Sequence, residues 1–163
     1  MIIGSIAEDK NIEKRVSITP EISKKYISLG LSVQLSENYA QHLGFSKSSY
    51  EDQGVNIVND KKKIIETSDI ILQMGLLSDE DLNFLKQNQT YIGVLNAHVN
   101  KEKLQLLSKK NINFFSIELL PRITRAQSMD ILSSQANLAG YKAVVESFSV
   151  FEKAIPMMMT AAG

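Results

Sequence analysis

The sequence predicts an α/β domain: a mainly parallel sheet flanked by helices, ending in a long C-terminal helix. Three observations carry this. Short apolar runs alternate with amphipathic stretches along most of the chain. Asp69–Met74 is an unbroken apolar run of the kind buried on both faces of a sheet. The amphipathic stretches have the length of βαβ crossovers, which join parallel strands in the right-handed sense.

The elements follow in order. Ile2–Ile6 reads as a strand and Val16–Thr19 as a β-rich stretch closed by Pro20. Pro20 suits the first turn of a helix capped by Thr19, which runs through Ile22, Tyr26 and Ile27 and stops at Gly30. Leu31–Leu35 alternates as a strand, and a polar loop leads to a short helix near Ser46–Gln53, ended by Gly54. Val55–Val58 is a weak strand, and Asp60–Thr67 is a helix with Ile64 and Ile65 inward. After the buried run at 69–74, Ser78 caps an acidic first turn in Asp79–Leu85, where the helix dipole favours carboxylates. Tyr91–Leu95 is a buried strand, Asn100 caps Lys101–Lys109 with Leu104, Leu106 and Leu107 inward, and Ile112–Ile117 is the last strand. The expected architecture is therefore a flavodoxin- or Rossmann-like three-layer sandwich over residues 1–126.

From Gln127 to Ile155 one helix can run unbroken, with Leu132, Ala136, Ala139 and Ala143 on one seam and Val144, Phe148, Phe151 and Ile155 on another. Such a helix is on the order of 40 Å long, longer than a compact domain of this size needs. Ala136, Gly140 and Ala143 allow close backbone approach, either to a helix of a partner or to the domain's own sheet. Residues 156–163 read as a linker.

Composition narrows the function classes. At 163 residues the chain has the size of one domain, and 44% hydrophobic with 22% charged residues is a globular balance. Lys+Arg and Asp+Glu match at 18 each, so no broad field attracts nucleic acid. The Lys61–Lys63 triplet reads as a solvated helix face. Without cysteine there are no disulfides and no thiolate sites, which fits a reducing compartment. The first ten residues lack a signal-peptide core, and no run approaches the roughly 20 apolar residues that span a bilayer, so no direct membrane insertion is expected.

In a parallel sheet, ligands sit at the carboxyl ends of the strands. The segments there are Gly75–Leu77, Asn96–Asn100 and Pro121–Asp130. In the last, Arg122 and Arg125 offer forked donors, Gln127 donates and accepts, and Asp130 accepts. This set matches a carboxamide, but Thr124 and Gln127 also have capping-box spacing and Asp130 also suits a first helical turn. Arg15 is a weaker anion-binding candidate. His42 and His98 have no metal-ligand spacing, and no metal site is expected. There is neither a G-x-G-x-x-G turn nor a P-loop.

Glu13-Lys-Arg-Val-Ser-Ile-Thr-Pro20, Asp69-Ile-Ile-Leu72, Pro121-Arg-Ile-Thr-Arg-Ala-Gln-Ser-Met-Asp130 and Leu132-Ser-Ser-Gln-Ala-Asn-Leu-Ala-Gly-Tyr141 resemble the alanine dehydrogenase/transhydrogenase family. Within it, the chain is most similar to the N-terminal part of the alpha subunit of proton-translocating NAD(P) transhydrogenases. The resemblance implies an NAD(H)-binding component in which Arg122, Gln127, Asp130 and Ser133 lie beside the nicotinamide, with Gln127 orienting the ring and no side chain acting as acid or base. It implies hydride transfer between NADH and NADP⁺, with NADP(H) on a separate domain or subunit. It further implies a homodimer, membrane partner subunits, and a cytoplasmic location peripheral to the inner membrane. A glycine-rich nucleotide-binding domain would follow the linker, and turnover would need it. Alanine dehydrogenases carry a lysine and a histidine where this chain has Gln73-Met-Gly75 and Asn96. An amino-acid dehydrogenase domain and a non-catalytic interaction module of this fold are the alternatives.

Overall fold

In a computed structural model of the chain, residues 1–153 are described. They form two compact units, Met1–Pro121 and the segment from Arg122 onward.

The first unit contains β1 (Ile2–Ser5), α1 (Pro20–Ser28), β2 (Ser32–Ser36), α2 (Lys47–Glu51), β3 (Asn56–Val58), α3 (Lys61–Thr67), β4 (Ile70–Leu72), α4 (Asp79–Leu82), β5 (Thr90–Gly93), α5 (Lys101–Ser108) and β6 (Asn113–Ser116). The six strands are all parallel, in the order β3-β2-β1-β4-β5-β6. This is the doubly wound Rossmann order, in which the chain reverses direction across the sheet between β1 and β4.

Alternation along the strands separates two cores. Ile71 packs with Ile64, Ile65, Leu82, Tyr91, Leu95 and Leu107, beneath α3, α4 and α5. Its neighbours Ile70 and Leu72 pack against the other cluster, which holds Ile3, Val33, Leu35 and Tyr50 beneath α1 and α2. Helices therefore cover both faces, and the three-layer expectation holds. Gly4 lets α3 come close to β1, since a Cβ there would lie 1.9 Å from Ser68 Oγ.

Most helix starts follow the sequence. Thr19, Ser46, Asp60 and Ser78 each accept a backbone N–H with the side chain, and Pro20 opens α1. Gly30 and Gly54 take positive φ values of 80° and 86° where α1 and α2 stop.

Four expectations change. Val16–Thr19 is not a strand: its amides at Ser17 and Ile18 donate to Tyr39 Oη at 3.2 and 3.3 Å, while Tyr50 Oη donates to Ile18 O at 2.9 Å. Its β-branched Ile18 is fully buried as a core plug. Asn100 does not cap α5, because its Nδ2 donates to Leu95 O instead. Leu106 points outward at 63% exposure, whereas Leu107 is buried and Leu104 packs on the core.

The fourth concerns the second unit. The helix expected from Gln127 begins at Ile131, giving α6 (Ile131–Val150). Thr124–Met129 forms a 3-10 helix with no side-chain cap, so Thr124 and Gln127 are not a capping box. Phe151 has extended backbone and Ile155 lies outside the described residues.

Candidate functional site

The segment from Arg122 is shaped by one competition at its helix start. Four free amides at a helix N-terminus need acceptors, and the nearest carboxylate wins over a hydroxyl. Asp130 Oδ1 accepts from Ser133 N at 3.0 Å and Oδ2 accepts from Ser133 Oγ at 2.7 Å. These two bonds, led by the one from the Ser133 hydroxyl, hold the Asp130 carboxyl below its usual range, and the nearby Arg122 guanidinium adds to this. Asp130 is thus the N-cap residue of α6, one turn later than a helix from Gln127 would place it.

This brings the four expected residues into one short stretch. Gln127, Asp130 and Ser133 line a shallow, open concavity with Ser128, Met129, Ile131 and Ser134. The Gln127 amide has no hydrogen-bond partner among the described residues, so its donor and acceptor both stay available. Arg122 is exposed and close enough to Asp130 to act on its charge. Asp130 and Ser133 satisfy each other, yet a carboxylate has about four acceptor positions and two remain. The arrangement can grip a group that donates and accepts in one plane, with a cation beside it.

The remaining candidates are spent elsewhere. Arg15 Nε and one Nη donate to the two Glu13 oxygens at 2.9 and 2.7 Å, which holds Glu13 below its usual range. His42 Nε2 lies 2.6 Å from Lys14 O, and His98 is exposed in the loop after β5. Among the described residues no group of acidic or histidine side chains is placed to hold a metal.

The carboxyl edge of the sheet holds further polar residues, outside the set expected from the sequence. Gln73, only 3% exposed, follows β4, and Glu8 follows β1. Glu8 Oε1 accepts from Met74 N at 2.7 Å, and burial pushes its carboxyl up despite that bond and a longer one from Gly75 N. Glu118 accepts from Leu95 N, Ala97 N and Ser116 Oγ and so pins the loop after β5. Burial would raise its carboxyl, but Ser116 and these amides together hold it below the usual range. The only sequence signal for a role of Glu8 and Gln73 is that each follows the end of a strand. Their meeting depends on β1 and β4 being neighbours.

Comparison with known proteins agrees with this fold. Residues 4–139 match the family model described as alanine dehydrogenase/PNT, N-terminal domain. A separately encoded first portion of the NAD(P) transhydrogenase subunit alpha, from Rickettsia prowazekii, is 40% identical over all of this chain and 44% of its own length. The crystal structure of transhydrogenase from Sinorhizobium meliloti superposes with a TM-score of 0.87 at 35% identity, over all of this chain and 48% of that one. Alanine dehydrogenase 1 of Staphylococcus aureus is more distant, at 24% identity over 89% of this chain and 38% of that protein. The chain thus spans less than half the length of these relatives. With its doubly wound sheet and a family match from the first strand into α6, it belongs to the alanine dehydrogenase/PNT N-terminal domain family.

Proposed function

We propose that this chain is the N-terminal domain of an NAD(P) transhydrogenase alpha subunit and supplies the nicotinamide-side loop for hydride transfer between NADH and NADP⁺. The observation that carries the proposal is the Asp130–Ser133 pair, held rigid by two hydrogen bonds, with the unspent Gln127 amide lining the same concavity. The carboxamide of a nicotinamide donates through its NH₂ and accepts through its carbonyl. Asp130 offers acceptors, Gln127 offers both roles, and Ser133 and Arg122 offer donors. The cofactor supplies the hydride chemistry. The loop needs no acid or base, and its residues act by fixing the plane and distance of the ring, with Gln127 as the orienting side chain.

In this reading NADP(H) is held by a separate domain or subunit, and proton translocation belongs to membrane partners. The chain then works on the cytoplasmic side, peripheral to the inner membrane through those partners. A homodimer is included in the proposal, supported by α6, where Leu138, Tyr141, Val144, Val145 and Phe148 are all exposed. Among the described residues no helix is long and apolar enough to cross a membrane.

The test uses the chain joined to a downstream nucleotide-binding domain and its partner subunits. Arg122→Ala and Asp130→Ala should each lower hydride transfer from NADH by on the order of tenfold or more, since misplacing a reacting ring by an ångström costs that much. Unchanged transfer in both variants would remove the site assignment. The alanine dehydrogenase alternative predicts pyruvate-dependent NADH oxidation by the same assembly, which the neutral Gln73 and Asn96 do not favour.

A further inference from the structure

We infer that the crevice between β1 and β4 is a carboxylate-binding site that the chain fills with its own Glu8, closing it to small carboxylate substrates. The inference concerns the first unit alone and does not rest on the nicotinamide-side loop.

Where the strand order of a doubly wound sheet reverses, the loops diverge and leave a crevice, and this is where such sheets take ligands. Here the crevice lies beyond Ser5 of β1 and Leu72 of β4. The donors available there are Met74 N–H, Gly75 N–H and the Gln73 amide. All three point to one atom: Glu8 Oε1 lies 2.7 Å from Met74 N, 3.1 Å from Gln73 Nε2 and 3.4 Å from Gly75 N. A ring of two backbone amides and a side-chain amide around one carboxylate oxygen is the pattern by which proteins bind a free carboxylate. Glu8 therefore stands in the place of a ligand.

Gln73 makes the closure firm. Its Oε1 accepts from Ser5 Oγ at 2.7 Å and from Ile6 N at 2.8 Å, and its Nε2 also donates to Ile6 O at 3.1 Å. Both ends of the amide are saturated, and Ser5 Oγ is in turn bonded to Tyr39 Oη at 2.8 Å. No donor is left for an incoming carboxylate, and that carboxylate would also meet the charge of Glu8. Gln73 and Glu8 together are thus specificity-determining: they exclude small acids from the crevice.

Removing the internal carboxylate should open the site. The experiment titrates acetate and pyruvate, with acetamide as the uncharged control, into the whole chain as wild type, Glu8→Gln and Glu8→Ala. Backbone amide shifts of Met74 and Gly75 report occupancy, and thermal unfolding reports stability. Wild type and Glu8→Gln, which both keep the Oε1 acceptor, should show no saturable shift at these amides. Glu8→Ala should show saturable shifts with either acid at millimolar concentration and recover some of its lost melting temperature, with no response to acetamide.

Saturable shifts in the wild type, or none in a folded Glu8→Ala chain, would overturn the inference. Should Glu8→Ala not fold, Glu8→Ser, too short to span both amides, takes its place with the same expectations. Native-state hydrogen exchange gives an independent check: Met74 N–H should be slowed at least about tenfold relative to Glu8→Ser. Equal exchange would also overturn the inference.

Discussion

Glu118 shows how much a single carboxylate can organise. It leaves a 3-10 turn just after β6 and reaches across to the loop after β5, where Asn96 takes a left-handed φ of 48°. Two amides and a hydroxyl converge on it. Glu118→Ala strands these donors and should lower stability by about 1–3 kcal/mol in denaturant unfolding. It should also speed amide exchange at Leu95 and Ala97 more than at core positions. Glycines at the same edge behave oppositely to one another. A Cβ on Gly93 would lie 2.7 Å from Gln73 O, a backbone atom that cannot step aside, while Gly75 has nothing within 4 Å. Gly93→Ala should therefore cost about 1–3 kcal/mol and Gly75→Ala stay within about 0.5 kcal/mol, as read from urea midpoints.

At the scale of elements, the start of α6 is decided by Asp130. Asp130→Ala should fray the first turn, seen as lower helicity by circular dichroism and a shifted Ser133 amide, whereas Asp130→Asn, which still accepts, should keep most of the turn. Carboxylates at the ends of elements also set the pH profile. Glu118 and Glu13 titrate below the usual range in the folded chain, so their contribution is present above the unfolded value of 4.5 and is lost as pH falls through their lower folded values. Glu8 is raised, so its contribution is full below 4.5 and is lost as pH rises through its higher folded value. Melting temperature against pH should accordingly lose some of its acid limb in Glu118→Gln. Glu8→Gln should flatten the decline on the rising side. The opposite assignment of the two limbs would contradict the hydrogen-bond pattern.

For the whole molecule, the feature that stands out is α6. Its 20 residues include none that is buried, and apolar side chains lie all around it, relieved mainly by the i,i+4 pair Lys142–Glu146. A helix apolar on every side belongs inside something. The chain should sediment with a concentration-dependent mass, and Val145→Glu with Phe148→Glu should shift it toward the monomer. A strict monomer at high concentration would count against the proposed homodimer.

The sequence by itself determined the six strands, the helix starts at Thr19, Ser46, Asp60 and Ser78, and the residues of the candidate loop. Each depends on periodicity or on contacts within a few residues. Only the tertiary structure decided the rest. Ile18 became a core plug because Tyr39 and Tyr50, more than twenty positions away, satisfy its backbone. Asp130 displaced the expected capping box because a carboxylate one turn later held the amide of Ser133. Glu8 met Gln73 because β1 and β4 are neighbours across 65 residues of chain, and strand order is a long-range choice that no local pattern encodes.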